Sequence, residues 1–383
     1  MNISFYEPYY IGTEINHIRE AMEQHQISGD GHYTEKVVSL LKNKFEILNM
    51  VMTTSATHAL EMAALLIDLK PGDEVIMPSF SFPSTANAVM LHGGKPVFAE
   101  IEEATLNIDV KDVERKISKN TKAIIPVHYG GIACKMGEIM TLAETYHLYV
   151  IEDAAQGVNA KFKEKHLGTW GHMGCYSFHG TKNYTCGEGG ALLLNTSDEQ
   201  LLYRAEIIRQ KGTNRRQFML GEIDKYSWVD MGSSYTPSDL LMAFLYAQLE
   251  SMDHITQKRR AIHSYYENFL KRYVDRGIIK MLQTPIDCTP NFHLFTILCR
   301  NERERNTLMG NLKKKGIATA FHFVPLHSST AGQKLGYHQN DLPLTENLSK
   351  CLLRLPIYPG MTAEQLAYIQ KHLSSCLDAF GEL

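Results

Sequence analysis

Lys182 stands in the segment Cys175 to Gly190 (CYSFHGTKNYTCGEGG), a turn between two apolar runs that carries hydroxyls, a histidine and paired glycines around one lysine. A lysine amine is a nucleophile only where burial or neighbours keep part of it unprotonated, and a fitting carbonyl partner is the aldehyde of pyridoxal phosphate. Read alone, such a lysine is an ordinary solvated one, so its meaning depends on what stands elsewhere in the chain. In LYVIEDAAQG, Asp153 closes an apolar run, at the carboxyl end of a strand where open α/β sheets place ligand groups. A carboxylate there can pair with a protonated pyridine nitrogen; the competing roles are a helix N-cap and a magnesium ligand. In TTSATHAL, Thr54, Ser55 and Ala56 turn into a helix, so hydroxyls and free N–H groups meet at the positive end of its dipole, where a phosphate binds well. In MPSFSFPST two aromatics follow a strand end, and Phe82 is placed either to lie on a planar ring or to fill the core.

These groups can act together only if one scaffold brings their strand ends to one edge. For about 200 residues short apolar runs alternate with helical patterns, the signature of parallel strands joined by crossover helices. Helices are predicted near Glu14 to Gln24 and Glu35 to Lys44. Strands are predicted at Ile47 to Met52, Glu74 to Met77, Pro96 to Ala99, Lys122 to Val127, Leu148 to Glu152, Gly174 to Phe178 and Ala191 to Leu194. Beyond Pro237 the pattern becomes one long helical stretch through Tyr273, then strand-like Phe292 to Cys299 and Ala318 to Phe323 among helices. The fold class expected is α/β, with a large domain over residues 1–245 around a mostly parallel sheet and a smaller α+β domain over 246–383. A chain of 383 residues is long for one core, which agrees with that division.

Composition narrows the partners. A net charge of −3 with dispersed Lys and Arg makes no basic stripe, so nucleic acid and anionic membrane surfaces are poor partners, and any anion must be met locally. Seven cysteines without a C-x-x-C pair argue against a disulfide framework and a zinc site; no metal is expected. The start MNISFYEPYY lacks a basic and apolar leader pattern, and no run of 18 apolar residues occurs. A cytoplasmic protein is expected. Arg215 in GTNRR and His322 in FHFVPLH interrupt otherwise ordinary segments and are candidate substrate contacts.

Phosphate turn, aromatic, strand-end aspartate and lysine follow one another in the order used by fold type I pyridoxal-phosphate enzymes. From GDGHYT near Gly29 to RLPIYPGMT near Arg354, and notably in PGDEVIMPS, HGTKNYT, EIIRQKGTNR and DKYSWVDMGSSY, the chain resembles the DegT/DnrJ/EryC1/StrS sugar aminotransferases. The resemblance implies that Lys182 binds the cofactor aldehyde, Asp153 faces the pyridine nitrogen, Gln156 lies near the ring hydroxyl face and Phe82 stacks on the ring. Ser55, Ala56 and Ser177 then hold the phosphate, and His179, in the family's S-F-H-x-x-K-N string, lines the pocket or packs beside it. It also implies a homodimer with composite active sites. Many relatives carry N-Y-R where this chain has Ser234, Tyr235 and Thr236; that asparagine reaches the partner's phosphate site, and Ser234 is shorter. Glutamate is the donor implied. The segments that resemble most strongly point to a nucleotide-linked 4-keto-6-deoxy sugar, TDP-4-keto-6-deoxyglucose, aminated at C4 to the axial amine; the equatorial epimer and a 3-keto or UDP-linked sugar are the alternatives. Rival readings are a dehydratase of the same fold, which Lys182 opposes because those enzymes replace the lysine with histidine, a non-catalytic cofactor-binding regulator, and an amino-acid desulfurase or lyase.

Overall fold

Runs of four or five apolar residues between turn-forming residues become the strands of the central sheet, because a sheet covered on both faces needs side chains that lose little on burial. The computed structural model describes residues 1–381. Its strands are β1 (Asn49–Thr53), β2 (Glu74–Pro78), β3 (Lys95–Ala99), β4 (Thr121–Ile124), β5 (Tyr149–Asp153), β6 (Lys161–Phe162), β7 (Lys165–His166), β8 (Met173–Ser177), β9 (Gly190–Leu194), β10 (Ile279–Met281), β11 (Cys288–Thr289), β12 (Phe295–Cys299) and β13 (Leu352–Leu355). Seven of them form the main sheet in the order β1-β9-β8-β5-β4-β2-β3. The pairs from β8 to β3 are parallel, and β9 runs antiparallel to both of its neighbours.

The two-residue period of a strand divides the main sheet's side chains between two cores. Val51, Leu192 and Leu194 pack with the helix Ala56–Leu66 on one face. Met50, Met52, Ala191 and Leu193 pack on the other with Tyr33, Val37 and Leu41 of the helix His32–Phe45. A second layer follows in the chain: antiparallel β10-β12-β13, whose Ile297 and Leu353 bury against Ile262, Tyr266, Leu308 and Leu373. Those residues come from the helices Met252–Asp275, Glu302–Lys314 and Ala363–Gly381. The short strands β7, β6 and β11 join into a third small sheet.

Two expectations are corrected. The helical stretch predicted through Tyr273 is two helices, Asp239–Glu250 and Met252–Asp275, separated at Ser251. Met242, Ala243, Leu245 and Leu249 of the first belong to the core that contains Tyr33 and Tyr176. Ala318 to Phe323 is not a strand. Ala320 exchanges one pair of backbone hydrogen bonds with Arg354 on the free edge of β13. The chain then turns away, placing His322 and Phe323 along the wall of a cavity.

Candidate active site

The carboxyl ends of β5 and β8 and the first turn of the helix Ala56–Leu66 face a cavity of about 540 Å³, large enough for a cofactor and part of a substrate. Ser55 caps that helix: its hydroxyl accepts the His58 N–H at 3.1 Å, leaving the first turn's N–H groups directed at the cavity end. Gly190 makes this approach possible. A Cβ at 190 would lie 2.3 Å from the Ser55 carbonyl carbon and 2.5 Å from the Ala56 nitrogen, so only glycine lets β9 pass behind the turn. Thr57 and Ser84 join their hydroxyls at 2.7 Å beside it, and the buried Ser177 ends β8 on the same wall.

Asp153 is the last residue of β5 and is 6% exposed. Thr85 donates its hydroxyl to Oδ2 at 2.7 Å and the Ala155 N–H donates to Oδ1 at 3.2 Å, which fixes the carboxylate plane. Thr85 is steadied in turn by the Ser81 hydroxyl at 2.9 Å. Because alternate residues of a strand point oppositely, the neighbouring Glu152 turns away from the cavity and accepts N–H bonds from Gly168, Trp170 and Gly171.

Lys182 sits in the turn after β8, its N–H bonded to the His179 carbonyl at 2.9 Å. Burial pushes its amine down to about 8; Asp153 pulls it upward and Arg354 pushes it further down. A substantial fraction of neutral amine near pH 8 is what attack on a carbonyl carbon needs. Neighbouring imidazoles are neutral as well. His293 is held far below its ordinary value by burial, then by the charges of Lys182 and Arg259, and pairs through Nδ1 with Asn183 Oδ1 at 2.9 Å. His322, pushed to about 2 chiefly by burial, pairs through Nδ1 with the Tyr129 hydroxyl at 3.0 Å.

Of the residues singled out in the sequence, Ser55, Ala56, Phe82, Asp153, Gln156, Ser177, His179, Lys182 and His322 all line this cavity. Phe82 is 62% exposed and Phe80 1%, so of the two aromatics in MPSFSFPST it is Phe80 that fills the core. The Gln156 side-chain oxygen accepts the Gly130 N–H at 2.7 Å. His179 is exposed, bonded to Thr181 and facing Glu188. Arg215 is not brought to the cavity; it opens the exposed helix Arg215–Met219. Ser234 is exposed, pairs with Gln210 and also lies outside this cavity. Unread in the sequence were Phe5, Tyr6, Thr85, Arg259, His293 and Arg354. Arg259 alone left a readable trace, since Ile255, Ile262 and Tyr266 put it on the buried stripe of its helix.

These residues fit pyridoxal phosphate: an anion-binding turn, an exposed aromatic face, a fixed buried carboxylate and a depressed lysine amine surround one space. Fold and site together define the pyridoxal-phosphate-dependent aminotransferases of fold type I. The chain belongs to the DegT/DnrJ/EryC1/StrS aminotransferase family, whose pattern it matches over residues 9–374. It is 31% identical to the GDP-perosamine synthase of Escherichia coli O157:H7, over 96% of each chain. It is 33% identical to the spore coat polysaccharide biosynthesis protein SpsC of Bacillus subtilis, over 82% of each. The solved structure of NtdA from Bacillus subtilis with bound cofactor PMP superposes with a TM-score of 0.86 at 27% identity, covering 96% of this chain and 82% of that one.

Proposed function

We propose that the protein moves an amino group from glutamate to C4 of a nucleotide-linked 4-keto-6-deoxy sugar, converting TDP-4-keto-6-deoxyglucose to TDP-4-amino-4,6-dideoxygalactose. The observation that carries the transfer chemistry is the Lys182 amine, depressed to about 8 in the cavity that also holds Asp153. When bound, pyridoxal phosphate supplies a carbonyl for amines and a ring that draws electrons from the reacting carbon. Lys182 would hold that carbonyl through its amine and, when free, would be the base that takes and returns a proton at the reacting carbon. Asp153, its plane set by Thr85, keeps a proton on the ring nitrogen. The turn at Ser55 and Ala56 with Ser177 holds the phosphate, Phe82 covers the ring, and Gln156 borders the ring oxygen. His179 and His322 border the sugar as hydrogen-bonding groups, His322 as a neutral imidazole. Ser234 belongs to a second site, that of a partner subunit in a homodimer.

The choice of sugar rests on the chain's resemblance in DKYSWVDMGSSY and GTNRRQF, and the place of action proposed with it is a cytoplasmic surface-polysaccharide pathway. A GDP-linked 4-keto sugar is the competing substrate, on the strength of 31% identity to a GDP-perosamine synthase over nearly the whole chain. The deciding experiment incubates the protein with glutamate and each keto sugar and reads proton couplings at C4 of the product. Small H3–H4 coupling in a TDP-linked product is the expected result. Large H3–H4 and H4–H5 couplings mean an equatorial amine and reject the galacto product, and turnover of the GDP sugar alone rejects the TDP assignment.

A further inference from the structure

The segment Asn291–His293 reaches the cavity wall through a strained turn. Phe292 takes a left-handed backbone, φ 57°, which a bulky side chain rarely adopts, and across that turn the Asn291 side-chain oxygen accepts the His293 N–H at 3.1 Å. Asn291 is itself pinned, its amide donating to the Gln156 carbonyl at 2.7 Å and the Val158 carbonyl at 2.8 Å. Asn183, which follows Lys182 in the chain, donates its amide to the Asn291 carbonyl at 2.8 Å. Its side-chain oxygen is therefore the atom that meets His293 Nδ1 at 2.9 Å, and only a protonated Nδ1 can pair with it. That fixes the tautomer, because in a neutral imidazole a proton on one nitrogen leaves the other bare. Neutral it is: burial first, then the charges of Lys182, Arg259 and Arg354, hold this histidine far below its ordinary value. Nε2 is thus a lone pair without a proton, and among the described residues nothing donates to it. Buried polar atoms are normally engaged, yet this one, on a residue 7% exposed, is left facing the space it shares with Lys182. The two residues also line a small void of about 10 Å³ beside the main cavity.

We infer that His293 is a positioning residue for Lys182: its Nε2 accepts an N–H of the free amine and steadies the ammonium formed when Lys182 takes a proton from the reacting carbon. This deepens the role proposed for Lys182 and rests on it. In that step a C–H bond breaks, its proton joins the Nζ lone pair, and the electron pair left behind passes to the ring that pyridoxal phosphate supplies; the return step reverses this. His293 keeps its own proton on Nδ1 throughout. A buried lysine meets two opposed demands. Burial and Arg354 weaken it as a base, which suits attack on a carbonyl but not removal of a proton from carbon, and Asp153 works against them. A hydrogen bond to the charged form favours that form, and a neutral acceptor supplies it without adding a further charge. The charges facing the pair are Asp153 from β5, Arg354 from β13 and Arg259 from the helix Met252–Asp275, while His322 is a neutral imidazole. Because Asn183 follows Lys182 directly, the acceptor is tied to the turn that carries the lysine, and through Asn291 to Gln156.

The test reads the basicity of Lys182 itself. Cofactor-free protein is labelled with a trace of acetic anhydride across a pH series and the acetylated Lys182 peptide is measured by mass; half-labelling is expected near pH 8 in the native chain. In His293→Phe it is expected to fall by about one pH unit, because the ammonium loses its acceptor. His293→Gln, whose amide can donate to Asn183 and turn its oxygen to the cavity, is expected to recover most of that fall. In cofactor-loaded protein the single-turnover colour change with glutamate is expected to slow about tenfold in His293→Phe, with the glutamate concentration at half-maximal rate little changed. Nitrogen NMR of histidine-labelled protein is expected to place the His293 proton on Nδ1. If His293→Phe does not fold, Asn183→Ala replaces it: the ring can then carry its proton on Nε2, and Lys182 is again expected to half-label at lower pH. An unchanged labelling pH in the variants makes His293 a packing residue and overturns the inference, as does a proton on Nε2 or a glutamine variant no better than phenylalanine. Native protein that labels as expected but changes colour with no amino acid at all counts instead against the proposed donor reaction.

Discussion

At the scale of single residues, the site is two charge problems solved in opposite ways. Lys182 must lose a proton easily, and burial does this by penalising its ammonium form. With a folded value near 8 against an unfolded one near 10.5, the unfolded chain holds more protons between those limits, so this residue's contribution to stability rises with pH across that window. In cofactor-free protein Lys182→Met is therefore expected to be more stable than native by roughly 2–3 kcal/mol at pH 7, the gap closing as pH climbs from 8 to 10.5. Chemical denaturation at several pH values checks this, and a gap independent of pH rejects it. The loaded Lys182→Ala protein should lack native turnover; near-native rates remove the lysine from its role. Asp153 must aim its carboxylate into the cavity, and the Thr85 hydroxyl and Ala155 N–H fix its plane. Asp153→Asn is expected to cut turnover about a hundredfold or more, the effect of losing a few kcal/mol of charge pairing, with cofactor affinity falling less. An effect under about threefold places another group at the ring nitrogen. Such residues were legible because each sits at a local landmark, a strand end, a helix cap or a turn. Arg354, Arg259 and His293 were not, since what makes them unusual is the company that distant segments bring to them.

At the scale of elements, the sheet edge was legible and its fastenings were not. All seven main-sheet strands were read within a few residues, because strands buried on both faces show as short apolar runs. The two-residue strands β6, β7 and β11 carry no such pattern, and Ala318 to Phe323 has one but leaves its neighbour after a single bridge. Long-range fastening is equally silent in the sequence. Glu152 is fully buried, collects three backbone N–H groups and pairs with the buried His128 at 2.9 Å, tying the end of β5 to the loop before β8. The contact of β9 with the turn at Ser55 and Ala56, proposed to hold the phosphate, gives the sharpest test at this scale. In Gly190→Ala the new methyl meets backbone at 2.3–2.5 Å, so either the strand or the turn must shift, at a cost of about 1–3 kcal/mol. Since the turn is the softer of the two, titration of the cofactor-free variant with pyridoxal phosphate is expected to show at least tenfold weaker binding. Native affinity in that variant separates the turn from the phosphate.

At the scale of the whole molecule, the chain's first residues fasten to its last third. Ile3 is fully buried in the core of the C-terminal layer, where its N–H donates to the Gly316 carbonyl at 2.8 Å and its carbonyl accepts the Ala318 N–H at 3.0 Å. Phe5 and Tyr6, two and three residues on, are thereby laid across the cavity wall, Phe5 against the Arg354 guanidinium. The anchor and the wall are thus separable in function though adjacent in sequence. Ile3→Ala removes a buried side chain from a filled core and is expected to cost about 2–4 kcal/mol; it should also impair turnover, because the segment that carries Phe5 and Tyr6 is loosened. Phe5→Ala removes only the face that rests on Arg354 in the cavity wall, so it should leave the denaturation midpoint nearly unchanged while lowering turnover. Denaturation curves and donor kinetics on the two variants together decide the matter. If Ile3→Ala is destabilised but turns over normally, the N-terminal segment supports the core without shaping the site, and if Phe5→Ala loses stability as heavily as Ile3→Ala, anchor and wall are a single structural unit.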